Sequence, residues 1–363
     1  MKYVLLFAAL LAPVFARSQE IPGKTPAIAP VLPHIVLLSM GGTIASRGAD
    51  RMDLTNYGGK GVPRVDPADW IHDLPELANL ARITTEDFRP PADQGNVETF
   101  QQMRMVAKRL NELGKDPNVD GVVVTHGTNT MAEVAFYMNL TVNTDKPIVF
   151  VGSQRPWTGI SGDGPLNLYN AVRVAVSPFA KGKGVLHCMN QNINAARDVT
   201  KTSAYRVQTF KGVDVGVLGF ADPDKVVFYR EPTRKHTTGS AFAGQDFESL
   251  PPVEVFYAYT DAPGYLIDAA VEHGVKGIVV DGTGAGSPTM SETDAIKRAQ
   301  AKGVVVVVTT RTRGGRVQET LRRTEGKMVN GDNLPPEKAR LLLQLALTKT
   351  SDWQEVKKYF DEY

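Results

Sequence analysis

Three short turns rich in glycine and threonine are the places where this sequence could do chemistry: Met40-Gly41-Gly42-Thr43, His126-Gly127-Thr128-Asn129 and Gly282-Thr283-Gly284-Ala285-Gly286. Each follows an apolar run and so falls at the carboxyl end of a candidate strand, where open parallel sheets bind ligands. Glycine permits positive φ and lets a ligand approach backbone N–H groups closely. Such N–H groups can hold an oxyanion. A threonine hydroxyl becomes a nucleophile there only if another group takes its proton. Tyr57, in Asn56-Tyr57-Gly58-Gly59, and Lys201, in Arg197-Asp198-Val199-Thr200-Lys201-Thr202, are the candidates for that transfer. By residue type alone, each threonine can equally be a turn or N-cap residue.

Other chemistries lack their signatures. Neither G-x-G-x-x-G nor G-x-x-x-x-G-K-[ST] occurs at these turns, and the third runs into Ser287-Pro288 and misses the dinucleotide spacing. There is no G-x-S-x-G elbow and no H-E-x-x-H, and the six histidines are scattered. No metal site and no cofactor is expected.

The elements that must position the turns follow from patterning. His34–Ser39, Gly121–Thr125 and 147–152 are unbroken Val/Ile/Leu-rich runs, the mark of strands buried on both faces in a mostly parallel sheet. Helical patterns over 96–112 and 130–141 lie between them, which makes an α/β fold. The pattern lapses over 237–250 and ends in Pro251-Pro252. It restarts with strands over 253–259, 277–280 and 303–309, and Pro335-Pro336-Glu337 opens a terminal helix. The chain is therefore expected to form two α/β domains with mostly parallel sheets: a larger one over 33–240 carrying the catalytic threonines, a linker over 241–252, and a smaller one over 253–363.

The 363 residues carry 41 basic and 39 acidic side chains, and no block of like charge that would read as a nucleic-acid footprint. The single cysteine, Cys188, excludes an intrachain disulfide and a Cys-based zinc site. Residues 1–18 read as an export signal: Lys2 gives a short positive region, Val4–Leu11 an apolar core, and Val14 and Ala16 a cleavage pattern. The run is too short to span a bilayer. A periplasmic or secreted mature protein with no membrane partner is expected, beginning with an extended arm over 19–32.

Several motifs taken together resemble the bacterial-type L-asparaginases and glutaminase-asparaginases of the periplasmic kind. They are Gly41-Gly42-Thr43-Ile44-Ala45, Thr125-His126-Gly127-Thr128, Val151-Gly152-Ser153-Gln154-Arg155-Pro156, Asp163 to Ala171, Arg197 to Lys201, Arg234-Lys235-His236-Thr237 and Pro336-Glu337-Lys338-Ala339-Arg340. The resemblance runs in order through nearly the whole chain. It implies a metal-free hydrolase that releases ammonia from the side-chain amide of asparagine, and often of glutamine. It also implies a homo-oligomer, a dimer of dimers. By position, Thr43 matches the nucleophile that forms an acyl-enzyme and Tyr57 the lid tyrosine that helps activate it. Thr128 and Lys201 match a second threonine and its lysine, and Gly42, Gly127, Asn129, Ala92 and Asp93 fall at substrate-binding positions.

The chain departs from that family around the substrate. Asn129 stands where the family has an aspartate that grips the α-ammonium; it can accept a hydrogen bond but brings no charge. The loop that usually presents serine and glutamine to the α-carboxylate reads Arg89-Pro90-Pro91-Ala92-Asp93-Gln94. Here Asp93 is expected near the missing charge, and Arg89 as a carboxylate partner. In the third turn Ala285 replaces an asparagine through which the neighbouring subunit contacts the site in that family, and Glu319 is the nearest match to the partner glutamate that supports the tyrosine. Two alternatives follow: an amidohydrolase for another ω-amide, or a non-catalytic periplasmic binding protein on the same scaffold.

Overall fold

The structure, a computed structural model, describes residues 31–58, 64–90 and 99–363. The leader and residues 19–30 of the arm lie outside these. Fourteen strands are present among the described residues: β1 (His34–Ser39), β2 (Arg82–Asp87), β3 (Gly121–Thr125), β4 (Ile148–Val151), β5 (Val185–Met189), β6 (Asn192–Ala195), β7 (Val199–Lys201), β8 (Phe210–Gly212), β9 (Gly219–Ala221), β10 (Val226–Phe228), β11 (Val253–Tyr257), β12 (Gly277–Gly282), β13 (Val305–Thr310) and β14 (Met328–Asn330). The helices are α1 (Pro67–Asp73), α2 (Phe100–Lys115), α3 (Met131–Thr141), α4 (Gly164–Ala175), α5 (Tyr265–Glu272), α6 (Met290–Ala301), α7 (Leu321–Glu325), α8 (Pro336–Leu347) and α9 (Trp353–Glu362).

The larger sheet has the order β10-β9-β6-β5-β4-β3-β1-β2. Strands β2, β1, β3, β4 and β5 are parallel, and β6, β9 and β10 add an antiparallel edge. The order 2-1-3-4-5 reverses direction between β1 and β3, and ligands bind at such a switch point, outside the carboxyl ends of the two strands. Both strands end in register there, with Ser39 opposite Thr125. The second sheet, β11-β12-β13-β14, is wholly parallel. The chain is thus α/β, with a larger N-terminal and a smaller C-terminal sheet.

Burial explains why patterning found some elements and missed others. The core strands β1, β3, β4, β12 and β13 are almost entirely buried, so their apolar runs are continuous. Strand β2 (RITTED) is a largely exposed edge and shows no such run. Helix α2 begins at Phe100, later than the pattern suggests, because Thr99 is its N-cap and accepts from the Gln102 N–H at 3.2 Å. Helix α3 is buried on every side but Glu133, and its polar residues find partners inside: Asn139 Oδ1 accepts from the Val185 N–H at 2.9 Å. Helices α8 and α9 pack on one face of the second sheet, α8 also meets α3, and together they form one core with the larger sheet, where Phe242 stacks on Tyr359 at 5.3 Å.

Candidate active site

The site is built where β1 and β3 end. The Met40 N–H donates to the Thr125 carbonyl at 2.8 Å, prolonging the strand pairing by one step into the turns. Beyond it the two backbones nearly touch. A Cβ on Gly42 would fall 2.2 Å from Gly127 Cα and 2.4 Å from its nitrogen, and Gly42 has φ +87°. No other residue type fits this position. Thr43 then opens a single 3₁₀ turn, in which the Ala45 N–H donates to the Gly42 carbonyl at 3.0 Å and Ser46 Oγ donates to the same carbonyl at 2.9 Å.

The second turn brings its own threonine under control. Thr128 is buried, and Lys201 Nζ donates to Thr128 Oγ1 at 2.8 Å across 73 residues of sequence. Lys201 reaches this position from the end of β7, part of a separate two-stranded ribbon with β8. Burial lowers the lysine's pKa, and a neutral lysine at that distance can take the hydroxyl proton instead of giving one. Helix α3 starts three residues after Thr128, so the positive end of its dipole faces the same turn. Among the described residues, none of the backbone N–H groups of Gly42, Thr43, Gly127 and Thr128 donates a hydrogen bond within the chain. These are the donors that a developing oxyanion requires. His126 is fully buried, donates from Nδ1 to the Gly127 carbonyl at 2.7 Å, and is held neutral by burial, which pulls its pKa down to about 4.

The other sequence candidates fare differently. Asn129 is exposed and lines a cleft of about 630 Å³ together with Lys201, Glu133, Arg313 and Glu337. Tyr57 is half-buried, and among the described residues it makes no hydrogen bond to Thr43. Its segment is tied down upstream, where the Gly48 N–H donates to Thr158 Oγ1 at 3.0 Å and the Ile160 N–H to the Arg51 carbonyl at 2.7 Å. Ala92 and Asp93 lie outside the described residues. The expectation for Arg89 is overturned. Its side chain, 6% exposed, spends its donors on Asp87 at 2.6 Å, Asp66 at 2.7 Å and the Val65 carbonyl at 2.8 Å, leaving no face for a substrate carboxylate. Within the chain, Glu319 pairs with Lys357 of α9 at 3.4 Å.

Two motifs of the resemblance hold the scaffold. Asp163 accepts from the Gln154 N–H at 2.9 Å and the Arg155 N–H at 3.0 Å. Asn167 donates to the Gly152 carbonyl at 3.0 Å and accepts from the Asn190 N–H at 2.9 Å. Together they fix the loop after β4 beside the second turn. Lys338, in the motif Pro336 to Arg340 that opens α8, is fully buried, and the sequence assigned it no role of its own.

Among the described residues no cluster of three or more His, Cys, Asp or Glu could hold a metal ion, and no helix is long and apolar enough to cross a membrane.

Comparison with known proteins gives matches over most of the chain. The family model described as "Asparaginase, N-terminal" matches residues 34–234, and "Glutaminase/Asparaginase C-terminal domain" matches 252–360. An L-asparaginase 2 of Bacillus subtilis is 42% identical over 96% of this chain and 91% of its own length. A probable periplasmic L-asparaginase of Haemophilus influenzae is 39% identical over 92% of this chain and 93% of its own. The crystal structure of a probable cytoplasmic L-asparaginase from Campylobacter jejuni superposes with a TM-score of 0.86 at 39% identity, covering 91% of this chain and all of that one.

Proposed function

The chain belongs to the asparaginase family, and from that premise we propose that it hydrolyses the side-chain amide of L-asparagine, with L-glutamine as a second substrate, through an acyl-enzyme on Thr43. The observation that carries this reading is the Lys201–Thr128 hydrogen bond of 2.8 Å beside a second, glycine-flanked threonine at the switch point of the sheet. In the first step Thr43 Oγ1 attacks the amide carbon and gives up its proton, and the N–H groups around Gly42 and Gly127 receive the negative charge. The C–N bond then breaks and ammonia leaves with the transferred proton. Water, activated by the Thr128–Lys201 pair, cleaves the ester and regenerates the hydroxyl. Tyr57 is assigned to proton transfer at Thr43. Gly42, Gly127, Asn129, Ala92 and Asp93 are assigned to substrate binding.

A second reading exchanges the threonines. Thr128 already has its base in place, which favours it as the nucleophile. Mass spectrometry of a trapped acyl-enzyme distinguishes the two, since the adduct falls on a peptide containing Thr43 or on one containing Thr128.

Further parts of the proposal rest on the sequence. Residues 1–18 act as an export signal and the mature protein works in the periplasm, as the name of the Haemophilus relative says of that protein. The protein assembles as a dimer of dimers. The division near 241–252 is supported by the gap between the two family-model matches at 234 and 252.

The deciding experiment measures ammonia release from asparagine, glutamine and succinamate, with the Thr43→Ala variant as blank. Turnover of asparagine or glutamine is expected. Turnover of succinamate alone would move the substrate to an ω-amide lacking an α-ammonium, through Asn129. Silence on all three would reject the reading in favour of a binding protein.

A further inference from the structure

Lys338, on α8, is fully buried, and its Nζ donates to three main-chain carbonyls: Ala196 at 2.7 Å, Arg197 at 2.9 Å and Val199 at 2.6 Å. Three N–H donors meet three acceptors, which an ammonium satisfies in full. Burial pulls its pKa down to about 7 while Asp198, Glu337 and Glu133 pull the other way. The carbonyls favour the charged form, since a neutral amine would turn its lone pair on one of them. The ammonium also sits 5.6 Å from the centre of the Phe136 ring on α3. Lys338 therefore touches both elements that carry the reacting pair: the bend from 196 to 199, which runs through β7 into Lys201, and α3, which follows directly on Thr128. The other side of the bend is clamped by Arg197, whose guanidinium reaches Asn333 Oδ1 at 2.6 Å and Asp332 Oδ2 at 3.3 Å.

We infer that Lys338 is a positioning residue for the reaction, holding β7 against α3 so that Lys201 Nζ stays within hydrogen-bond reach of Thr128 Oγ1. The inference rests on the catalytic reading of that pair. Loss of the three-carbonyl anchor lets the bend relax towards solvent. Lys201 then drifts from Thr128 and regains water, and its pKa rises towards that of an ordinary lysine. The charged groups that share the cleft with Lys201 are Glu133 from α3, Glu337 from α8 and Arg313 from the loop after β13.

The test compares kcat, KM and the pH profile of kcat for the full chain and its Lys338→Met, Phe136→Leu and Lys201→Met variants, with thermal melting as a check on folding. Lys338→Met is expected to lower kcat by about 10- to 100-fold with KM within about twofold. Its acidic limb should move to higher pH by about half a unit or more. A folded Lys338→Met variant with unchanged kcat, or with an unmoved limb, overturns the inference. If Lys338→Met does not fold, Phe136→Leu decides. The same split and shift on a smaller scale support the inference, and a lowered melting temperature with unaltered kinetics overturns it. Retained kcat in Lys201→Met would instead reject the catalytic reading on which the inference stands.

Discussion

The turns after β1 and β3 and the turn after β12 have similar sequences and the same address, the carboxyl end of a buried parallel strand, yet the structure uses them differently. At the first pair the backbones of Gly42 and Gly127 meet, four N–H groups remain undonated among the described residues, and Lys201 arrives from a distant ribbon to hold Thr128. After β12 the turn closes on itself. Thr283 and Ser287 exchange backbone bonds of 2.9 and 2.7 Å, and Arg323 from α7 donates to the Ala285 and Gly286 carbonyls. One region leaves donors undonated and brings in a lysine, while the other has its carbonyls filled by a guanidinium. A glycine-rich strand end supplies only a place for chemistry; what faces it from elsewhere in the chain decides whether any occurs.

The comparison breaks most sharply at the nucleophile. Thr43→Ala should reduce kcat on the order of 10³-fold or more while the melting temperature holds, as measured by ammonia release and circular dichroism. Near-normal turnover would transfer the nucleophile to Thr128. Next comes the backbone contact. In Gly42→Ala the new methyl would sit 2.2 Å from Gly127 Cα, so the turns must separate. A shift of about 1 Å in the site is worth roughly 100-fold in rate. On the other turn, Gly284 has open space around it, and Gly284→Ala should cost about 1 kcal/mol of stability and leave kcat alone.

Asn129→Asp probes the missing charge. A charge-assisted bond to an α-ammonium is worth about 1.5–3 kcal/mol, so KM for asparagine should fall about tenfold or more. The new carboxylate also stabilises the ammonium form of Lys201 and raises its pKa. Because the base acts when neutral, activity appears above that pKa, and the acidic limb of kcat should move to higher pH. An unmoved limb would mean that Lys201 does not titrate in the rate-limiting step. The smallest kinetic effect belongs to the third turn. Arg323→Met leaves the Gln318, Ala285 and Gly286 carbonyls short of a donor and should lower stability by about 1–3 kcal/mol, with kcat within about twofold. A large loss of kcat would show that this turn serves the site after all.

Much of the fold was legible because the parallel strands are buried on both faces and therefore read as unbroken apolar runs, as in HIVLLS and GVVVT. Strand β2 and the short antiparallel strands escaped notice because exposure or brevity erases that pattern. The catalytic candidates Thr43, Thr128 and Lys201 were visible as motifs. The role guessed for Arg89 failed because sequence shows a charge but not its partners, and Asp87 and Asp66 had already taken it.

By itself, the sequence determined the α/β alternation and the strand-end turns, since these depend on local propensity and on the steric freedom of residues without Cβ; the need for glycine at position 42 came from its contact with Gly127. Only the tertiary structure decided which turns meet and what faces them. That outcome rests on contacts across 73 residues, between Thr128 and Lys201, and across 139 to 142, between Lys338 and the carbonyls from 196 to 199. Such distances in sequence carry no periodic signal. They close only in the folded chain, where burial takes Lys338 fully and Lys201 partly out of water.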